Sequence, residues 1–185
     1  IDSVMDIDYA AGRITYDHAD ALIDHVQKNG LTLEWIIETH VHADHLSAAP
    51  YLQERLGGKI GIGARIVTVQ DTFGKVFNEG TEFQRDGSQF DALFKDGDSY
   101  EIGGLKAFAI HTPGHTPGQM SLMLELPDTG TVILTSDTIS RPEELDETGV
   151  APFPYLQLAA LTRRRNAAEL RLGNGVARGR RAGEP

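Results

Sequence analysis

Residues 39–45 read THVHADH and place three histidines and one carboxylate within six positions. The segment directly follows the apolar run LEWIIE (33–38), which predicts a short buried strand. Side chains at the point where a strand opens into a loop are held by a rigid edge, and binding residues often lie there. Neutral imidazoles and carboxylates are donors for zinc, iron(II) or manganese. The candidate donors of this segment are His40, His42, Asp44 and His45.

Two further strand ends carry candidate donors. Residues 111–118, HTPGHTPG, follow the apolar run 105–110, and their two Pro-Gly pairs predict rigid turns that can hold His115 in one orientation. Asp137 follows a third apolar run, VILT, and its carboxylate could serve one metal or bridge two. We therefore expect His115 and Asp137 to join the cluster. His111 lies at the strand end itself and is expected to be structural.

Each motif also has an interpretation without metal. The first could be a chance cluster of surface histidines, the second a turn with two incidental histidines, and Asp137 a helix cap or turn former. Four of the seven histidines, however, fall into two strand-end loops. We therefore favour a metal site.

The composition is that of a globular protein, and 185 residues suit one domain with a core. The absence of cysteine excludes disulfides, thiolate ligands and a cysteine nucleophile, so any metal must be held by histidines and carboxylates. No apolar run approaches the roughly 18 residues that span a bilayer, and no signal peptide is visible. We expect a small-molecule substrate, no membrane partner and a cytoplasmic location.

The net charge of −10 is spread unevenly. Residues 157–185 hold seven arginines against two glutamates, which is +5, so the preceding part of the chain carries −15. An acidic body argues against nucleic acid as a partner. The tail could be a basic interaction arm, but its Arg, Ala and Gly composition favours an atypical end. We therefore divide the chain into a domain over 1–156 and an Arg-rich tail over 157–185, and expect no regular structure after Gly173.

Short apolar runs alternate with helical patterns, which predicts an α+β fold. The expected elements are a strand end at 1–4, a helix from Asp17 that stops at Gly30, a strand over 33–38, a helix over 45–56, strands within 60–69, a loop-rich region over 71–98, and hairpins over 100–110 and 120–135.

Together, THVHADH (39–45), HTPGHTPG (111–118) and the Asp of LTSDT (134–138) resemble the ligand motifs of the metallo-β-lactamase superfamily. The resemblance covers residues 1 to about 155. It implies a four-layer αββα sandwich with the metal at the sheet edges. Both ends of the chain depart from the pattern, so we expect the sandwich to be incomplete there, or completed by a second copy in a homodimer.

Within the superfamily, residues 2–110 resemble the persulfide dioxygenases and β-lactamase-like hydrolases related to glyoxalase II. The stretches that carry this are residues 30–63 and 87–98. The resemblance implies one iron(II) with open positions for a thiol substrate and dioxygen. The implied ligands are His40, His115 and Asp137. The groups around them would be His42, Asp44 and His45, and we expect Asp44 and His45 to act in catalysis.

Residues 115–137 and VAPFPY (150–155) instead resemble the acyl-homoserine lactone lactonases, which implies two metals and a hydrolysis. The first metal would be held by His40, His42 and His115. The second would be held by Asp44 and His45, with Asp137 as the bridge. The segment TISRPEELDE (138–147) differs from what glyoxalase II and the dioxygenases usually carry there, which argues against glutathione-type substrates.

The sequence therefore leaves three hypotheses about function. The leading one is a persulfide dioxygenase-like enzyme with one iron. The alternative is a dinuclear zinc hydrolase acting on a lactone, thioester or β-lactam. The third is a metal-binding remnant with impaired catalysis, because no histidine follows His115 to complete a second metal site.

Overall fold

The computed structural model describes residues 1–139, in which short strands and helices alternate. The strands are β1 (Asp6–Asp8), β2 (Arg13–Thr15), β3 (Trp35–Glu38), β4 (Lys59–Gly63), β5 (Ala92–Phe94), β6 (Ser99–Ile102), β7 (Leu105–His111), β8 (Met120–Leu126) and β9 (Gly130–Leu134). The helices are α1 (Asp17–Lys28), α2 (Ala49–Leu56) and α3 (Ile66–Val76), and a 3-10 turn covers Ser136–Thr138.

The first sheet is parallel, in the order β3-β4-β5. Successive side chains of a strand point to opposite faces, so the apolar run of β3 serves two cores. Ile36 and Ile60 pack with residues of α1 and α2. Ile62 packs against Ile66 and Val69 of α3. The three helices therefore cover one face of this sheet.

The second sheet is an antiparallel meander, β6-β7-β8-β9. Its inner face meets the other side of the parallel sheet in a core that includes Ile37, Phe94, Ala107 and Met120. Gly61 is required at this contact, because a Cβ atom there would lie 2.5 Å from Cε2 of Phe94. Residues 1–139 thus form a helical layer and two packed sheets, three of the four layers expected.

The elements expected from the sequence are largely present. The helix from Asp17, the strand before the histidine cluster and both C-terminal hairpins are confirmed. None of the helices within residues 1–139 is long and apolar enough to traverse a membrane. The predicted tail, 157–185, and its boundary with 1–156 lie outside the described residues.

The helix expected over 45–56 begins only at Ala49. Two contacts keep the chain out of helical geometry before that point. Ser47 forms an isolated bridge with Val4, and its hydroxyl donates to the buried carboxylate of Glu38 at 2.6 Å. Pro50 then lies in the first helical turn, where backbone N–H groups have no acceptor within the helix and a missing N–H is therefore tolerated.

The strand expected within 60–69 is wrong beyond Gly63, because Ile66–Val76 is a helix. β-Branched residues favour strands, but the buried positions 66, 69 and 70 recur at helical spacing. The helix forms here because this spacing lets Ile66 and Val69 pack against Ile62 of β4. The loop-rich region over 71–98 likewise contains the end of α3 and the short strand β5. The strand end at 1–4 is a single bridge, followed by the unpredicted hairpin β1-β2.

Candidate metal centre

The three predicted donor loops meet at one end of the two sheets. The first follows β3, the second follows β7 and the third follows β9. The N–H of Met120 donates to the carbonyl of Thr39 at 3.0 Å, which ties the second loop to the first across the two sheets. The hydroxyls of Thr39 and Ser136 lie 2.9 Å apart and tie the third loop to the first. The donors are thus brought together from distant parts of the sequence.

His40, His115 and Asp137 form one donor cluster. Oδ2 of Asp137 lies 3.5 Å from Nε2 of His40 and 3.6 Å from Nε2 of His115. All three donor atoms lie within 4.8 Å of one another. The His40 side chain is buried, whereas those of His115 and Asp137 are about half exposed, at 49% and 54%. The cluster is therefore anchored on one side and open to solvent on the other.

A hydrogen-bond chain sets the orientation of His40. The hydroxyl of Thr39 donates to Oδ2 of Asp2 at 2.9 Å and lies 3.0 Å from Nδ1 of His40. A hydroxyl has one proton, so a hydroxyl that donates to Asp2 accepts from Nδ1–H of His40. This tautomer leaves the lone pair of Nε2 facing Asp137 and His115. Burial, aided by the nearby His42 and His115, lowers the pKa of His40 to about 4.

His42, Asp44 and His45 form a second donor cluster beside the first. Oδ1 of Asp44 lies 3.4 Å from Nδ1 of His45 and 3.9 Å from Nδ1 of His42. The Asp44 side chain is 84% exposed, whereas both histidines are largely buried. Its own backbone N–H lowers the pKa of Asp44, with smaller contributions from both histidines. The His42 ring lies between the two clusters, because its centroid is 4.0 Å from that of His40 and 4.2 Å from that of His45.

Two nitrogens of the second cluster lack hydrogen-bond partners within residues 1–139. These are the buried Nε2 atoms of His42 and His45. Nε2 of His42 does lie 3.1 Å from Oδ1 of Asp2, but this contact does not have the geometry of a hydrogen bond. Buried polar atoms are normally satisfied, and exceptions often mark an ion or ligand. The orphaned nitrogens are thus compatible with metal binding.

Asp2 and Glu38 were not expected at the site, yet both carboxylates approach His42. Asp2 accepts the N–H of Thr39 at 2.7 Å as well as the Thr39 hydroxyl. Glu38 is 4% exposed, and burial raises the pKa of its carboxyl, against the lowering effect of the Ser47 hydroxyl. These contacts bridge up to 37 residues, so no local pattern in the sequence could have predicted them.

The turn that carries Asp137 rests on buried polar groups. Ser136 has a φ of 47°, in the left-handed region that residues other than glycine rarely adopt. With its amide oxygen turned toward the backbone, the fully buried Gln119 accepts from the N–H groups of Asp137 at 3.0 Å and Thr138 at 2.8 Å. The Thr138 hydroxyl donates to that of Thr112 at 2.9 Å. The second loop therefore positions the third.

His111 serves the second loop and not either donor cluster. Its backbone N–H donates to Oδ1 of Asp96 at 2.8 Å, and its Nε2 lies 3.0 Å from the carbonyl of Pro117. With Nε2 protonated, this contact closes the loop that presents His115. The geometry agrees with the structural role expected for His111.

The donor chemistry fits a first-row transition metal or zinc. Imidazole nitrogens and carboxylate oxygens are borderline to hard donors, and both clusters offer two of the former and one of the latter. Three protein donors with an open side are typical of a catalytic site, whereas structural sites are closed. The arrangement could hold one metal at the first cluster, or one at each.

The fold and donor loops are those of a known class. Residues 1–173 match the model of the metallo-beta-lactamase superfamily, and the chain belongs to this superfamily. It is 54% identical over 124 residues to a probable metallo-hydrolase of Burkholderia pseudomallei, covering 67% of this chain and 42% of that protein. It is 43% identical over 146 residues to glyoxylase B2 of Dictyostelium discoideum, covering 77% of this chain and 48% of that protein.

The fold is also that of a solved structure, the FEZ-1 metallo-beta-lactamase from Legionella gormanii. The TM-score is 0.55 at 18% sequence identity, over 85% of this chain and 62% of that one. The predicted sandwich and the predicted superfamily of metalloenzymes are both confirmed. The chain spans less than half the length of the two curated relatives.

Proposed function

We propose that this chain carries the catalytic centre of a dioxygenase that oxidises a persulfide at one iron(II). The observation that carries the proposal is the cluster of His40, His115 and Asp137, whose donor atoms lie within 4.8 Å of one another. Two histidines and one carboxylate with an open side are the donor set of many non-haem iron(II) oxygenases. The resemblance to the persulfide dioxygenases implies the same three ligands, although only His40 lies within the stretch that carries it, residues 2–110.

The residues of the chain have distinct parts in this proposal. His40 is the buried anchor, held in one tautomer by Thr39. His115 and Asp137 form the exposed side, through which a small molecule can approach. Asp44, exposed and ionised at neutral pH, lies beside the cluster and is placed to exchange protons with solvent. Iron(II) bound to the three donors would supply open positions where a thiol sulfur and dioxygen can meet.

A dinuclear zinc hydrolase is the second candidate, and the cluster of His42, Asp44 and His45 favours it. Oδ1 of Asp44 lies 3.9 Å from Nδ1 of His42 and 3.4 Å from Nδ1 of His45, so these three atoms could hold a second metal. The names of the relatives, a metallo-hydrolase and a glyoxylase, point the same way. Zinc would lower the pKa of a bound water toward 7 and polarise a carbonyl oxygen. The substrate would be a lactone, a thioester or a β-lactam.

Two assays on the same preparation separate the candidates. Oxygen uptake is measured with glutathione persulfide and with benzyl persulfide, and ring opening is measured with an acyl-homoserine lactone. The proposal predicts oxygen uptake with a persulfide and no lactone hydrolysis. Lactone hydrolysis without oxygen uptake would support the dinuclear hydrolase. The absence of oxygen uptake and of hydrolysis of a lactone, a thioester or a β-lactam in a metal-loaded chain would support a binding remnant.

A further inference from the structure

A small apolar cavity of about 200 Å³ adjoins the first donor cluster. His40 and His115 form one wall, so anything bound in the cavity lies against the reacting centre of the proposed function. The opposite wall is one face of α3 and the strand before it. Its main contributors are Ile62, Ile66, Val69 and Phe73.

The charge of the lining limits what the cavity can hold. Apart from the two histidines, no residue known to line it is ionisable within residues 1–139. Burying a charged group without a partner costs several kcal/mol or more. Glutathione carries two carboxylates and an ammonium group, for which this wall offers no partner. An uncharged substituent meets no such penalty.

One polar atom is placed to orient a ligand. Oγ1 of Thr116, a lining residue, is buried and has no hydrogen-bond partner in the described part of the chain. An unpaired buried hydroxyl is costly, and a ligand that offers a donor or acceptor removes the cost. Apolar pockets with a few polar groups that fix orientation are the usual form of small-molecule sites.

The size of the cavity limits the ligand further. A cavity of roughly 150 Å³ lined by aliphatic side chains is enough to hold benzene. The space beside His40 and His115 therefore suits a substituent of about the size of a phenyl ring. The wall is also closely packed, because a Cβ at Gly118 would lie 3.1 Å from Cγ2 of Val69. Helix α3 is thus packed directly against the loop that presents His115.

We propose that this cavity is the specificity pocket of the enzyme and binds the organic substituent of the substrate sulfur, which is a small uncharged alkyl or aryl group. Phe73 of α3 is the specificity-determining residue at its mouth. The side chain is 49% exposed, so it can be changed without emptying a core. The inference deepens the proposed function and rests on it for the identity of the reacting atom.

The test uses binding of unreactive probes to the full chain. Benzyl thiol and glutathione are titrated without oxygen into the iron(II)-loaded protein, and toluene, which has no metal-binding atom, into the metal-free protein. The variant Phe73→Ala is compared with Phe77→Ala. Phe77 stacks on Phe73 from the next turn with a ring-centroid distance of 5.8 Å, but it is not among the lining residues.

We expect benzyl thiol to bind at least tenfold more tightly than glutathione. Because Phe73 is half exposed, Phe73→Ala should weaken the binding of benzyl thiol and toluene by roughly three- to tenfold. Phe77→Ala should leave the affinity for both ligands unchanged. Equal or tighter binding of glutathione, or equal effects of the two variants, would overturn the inference. The proposed function is tested independently of the pocket. Selective binding without oxygen uptake would refute the oxidation alone, and oxygen uptake confined to glutathione persulfide would refute the pocket alone.

Discussion

At the scale of single residues, His40 is the donor on which both candidate functions depend. It is the one member of its cluster with a buried side chain, and both other members converge on its Nε2 side. Changing His40 to Ala should abolish tight metal binding, because two protein donors are too few at an open site. Elemental analysis after dialysis measures this. His25→Ala, on the exposed side of α1, is the control and should keep its metal. Wild-type metal content in His40→Ala would refute the assignment.

Thr39 tests whether the hydrogen-bond chain to Asp2 matters for the metal. Thr39→Val keeps the shape of the side chain and removes the hydroxyl that fixes the tautomer of His40. Outer hydrogen bonds of this kind typically contribute about 10–100-fold to metal affinity or activity. We expect a loss of that size in a competition titration with a metal chelator. Thr39→Ser should restore most of the affinity, and a Val variant with unchanged affinity would contradict this role.

The residues that we propose as metal ligands could be identified from the sequence, whereas those that hold them in place could not. His40, His115 and Asp137 stand in short local motifs after apolar strands. Asp2 and Gln119 are ordinary in their local context. Asp2 contacts Thr39, which lies 37 residues further along the chain, and Gln119 contacts the turn after a different strand. Their roles therefore depend on the tertiary fold.

At the scale of elements, the turn after β9 depends on Gln119, which lies between two loops. Gln119→Leu removes the acceptor for the N–H of Asp137, whereas the N–H of Thr138 keeps its bond to the carbonyl of Thr135 at 3.1 Å. Leaving a buried donor unsatisfied costs about 1–3 kcal/mol. We expect the free energy of unfolding in urea to fall by about that amount and metal affinity to fall with it. Gln27→Leu, on the exposed side of α1, is the control, and equal stabilities of the two variants would disprove the proposed support.

Asp91 joins α2 to the parallel sheet, and its contribution to the free energy of unfolding should depend on pH. Its carboxylate accepts the N–H of Ile60 at 2.8 Å and Nε2 of Gln53 at 2.6 Å, and the first of these lowers its pKa most. A lowered carboxyl pKa stabilises the fold above the unfolded pKa of about 4, and this contribution is lost as pH falls through the folded value.

The comparison is between wild type and Asp91→Asn in urea. Their unfolding midpoints should differ at pH 7 and converge toward pH 3, while the exposed variant Asp128→Asn should match wild type at both. A difference that persists unchanged at pH 3 would show that the carboxylate charge is not responsible.

The errors at this scale have one origin. Residues 66–69, the start of α3, are expected as strand because branched apolar residues are frequent in strands, although positions 66, 69, 70 and 73 recur at helical spacing. The start of α2 was misplaced because Ser47 bonds to Glu38, a contact that depends on the preceding strand. Strands with an apolar run between clear turns, such as β3 and β7, needed no such tertiary information.

At the scale of the whole molecule, the two sheets act as a frame that brings three strand ends to one site. The cavity against α3 and the two donor clusters open from this same end. In the proposed function one metal at the first cluster would carry out oxygen chemistry, whereas in the second candidate metals at both clusters would carry out hydrolysis. The number and kind of metal ions therefore carry more information than any single substitution.

The most direct test is the metal content of the full chain, incubated with equal iron(II) and zinc(II) without oxygen and then desalted. We expect one iron per chain, retained in His42→Ala with activity lowered by about 10–100-fold. Two zinc ions per chain, one of them lost in His42→Ala together with nearly all hydrolysis, would contradict it.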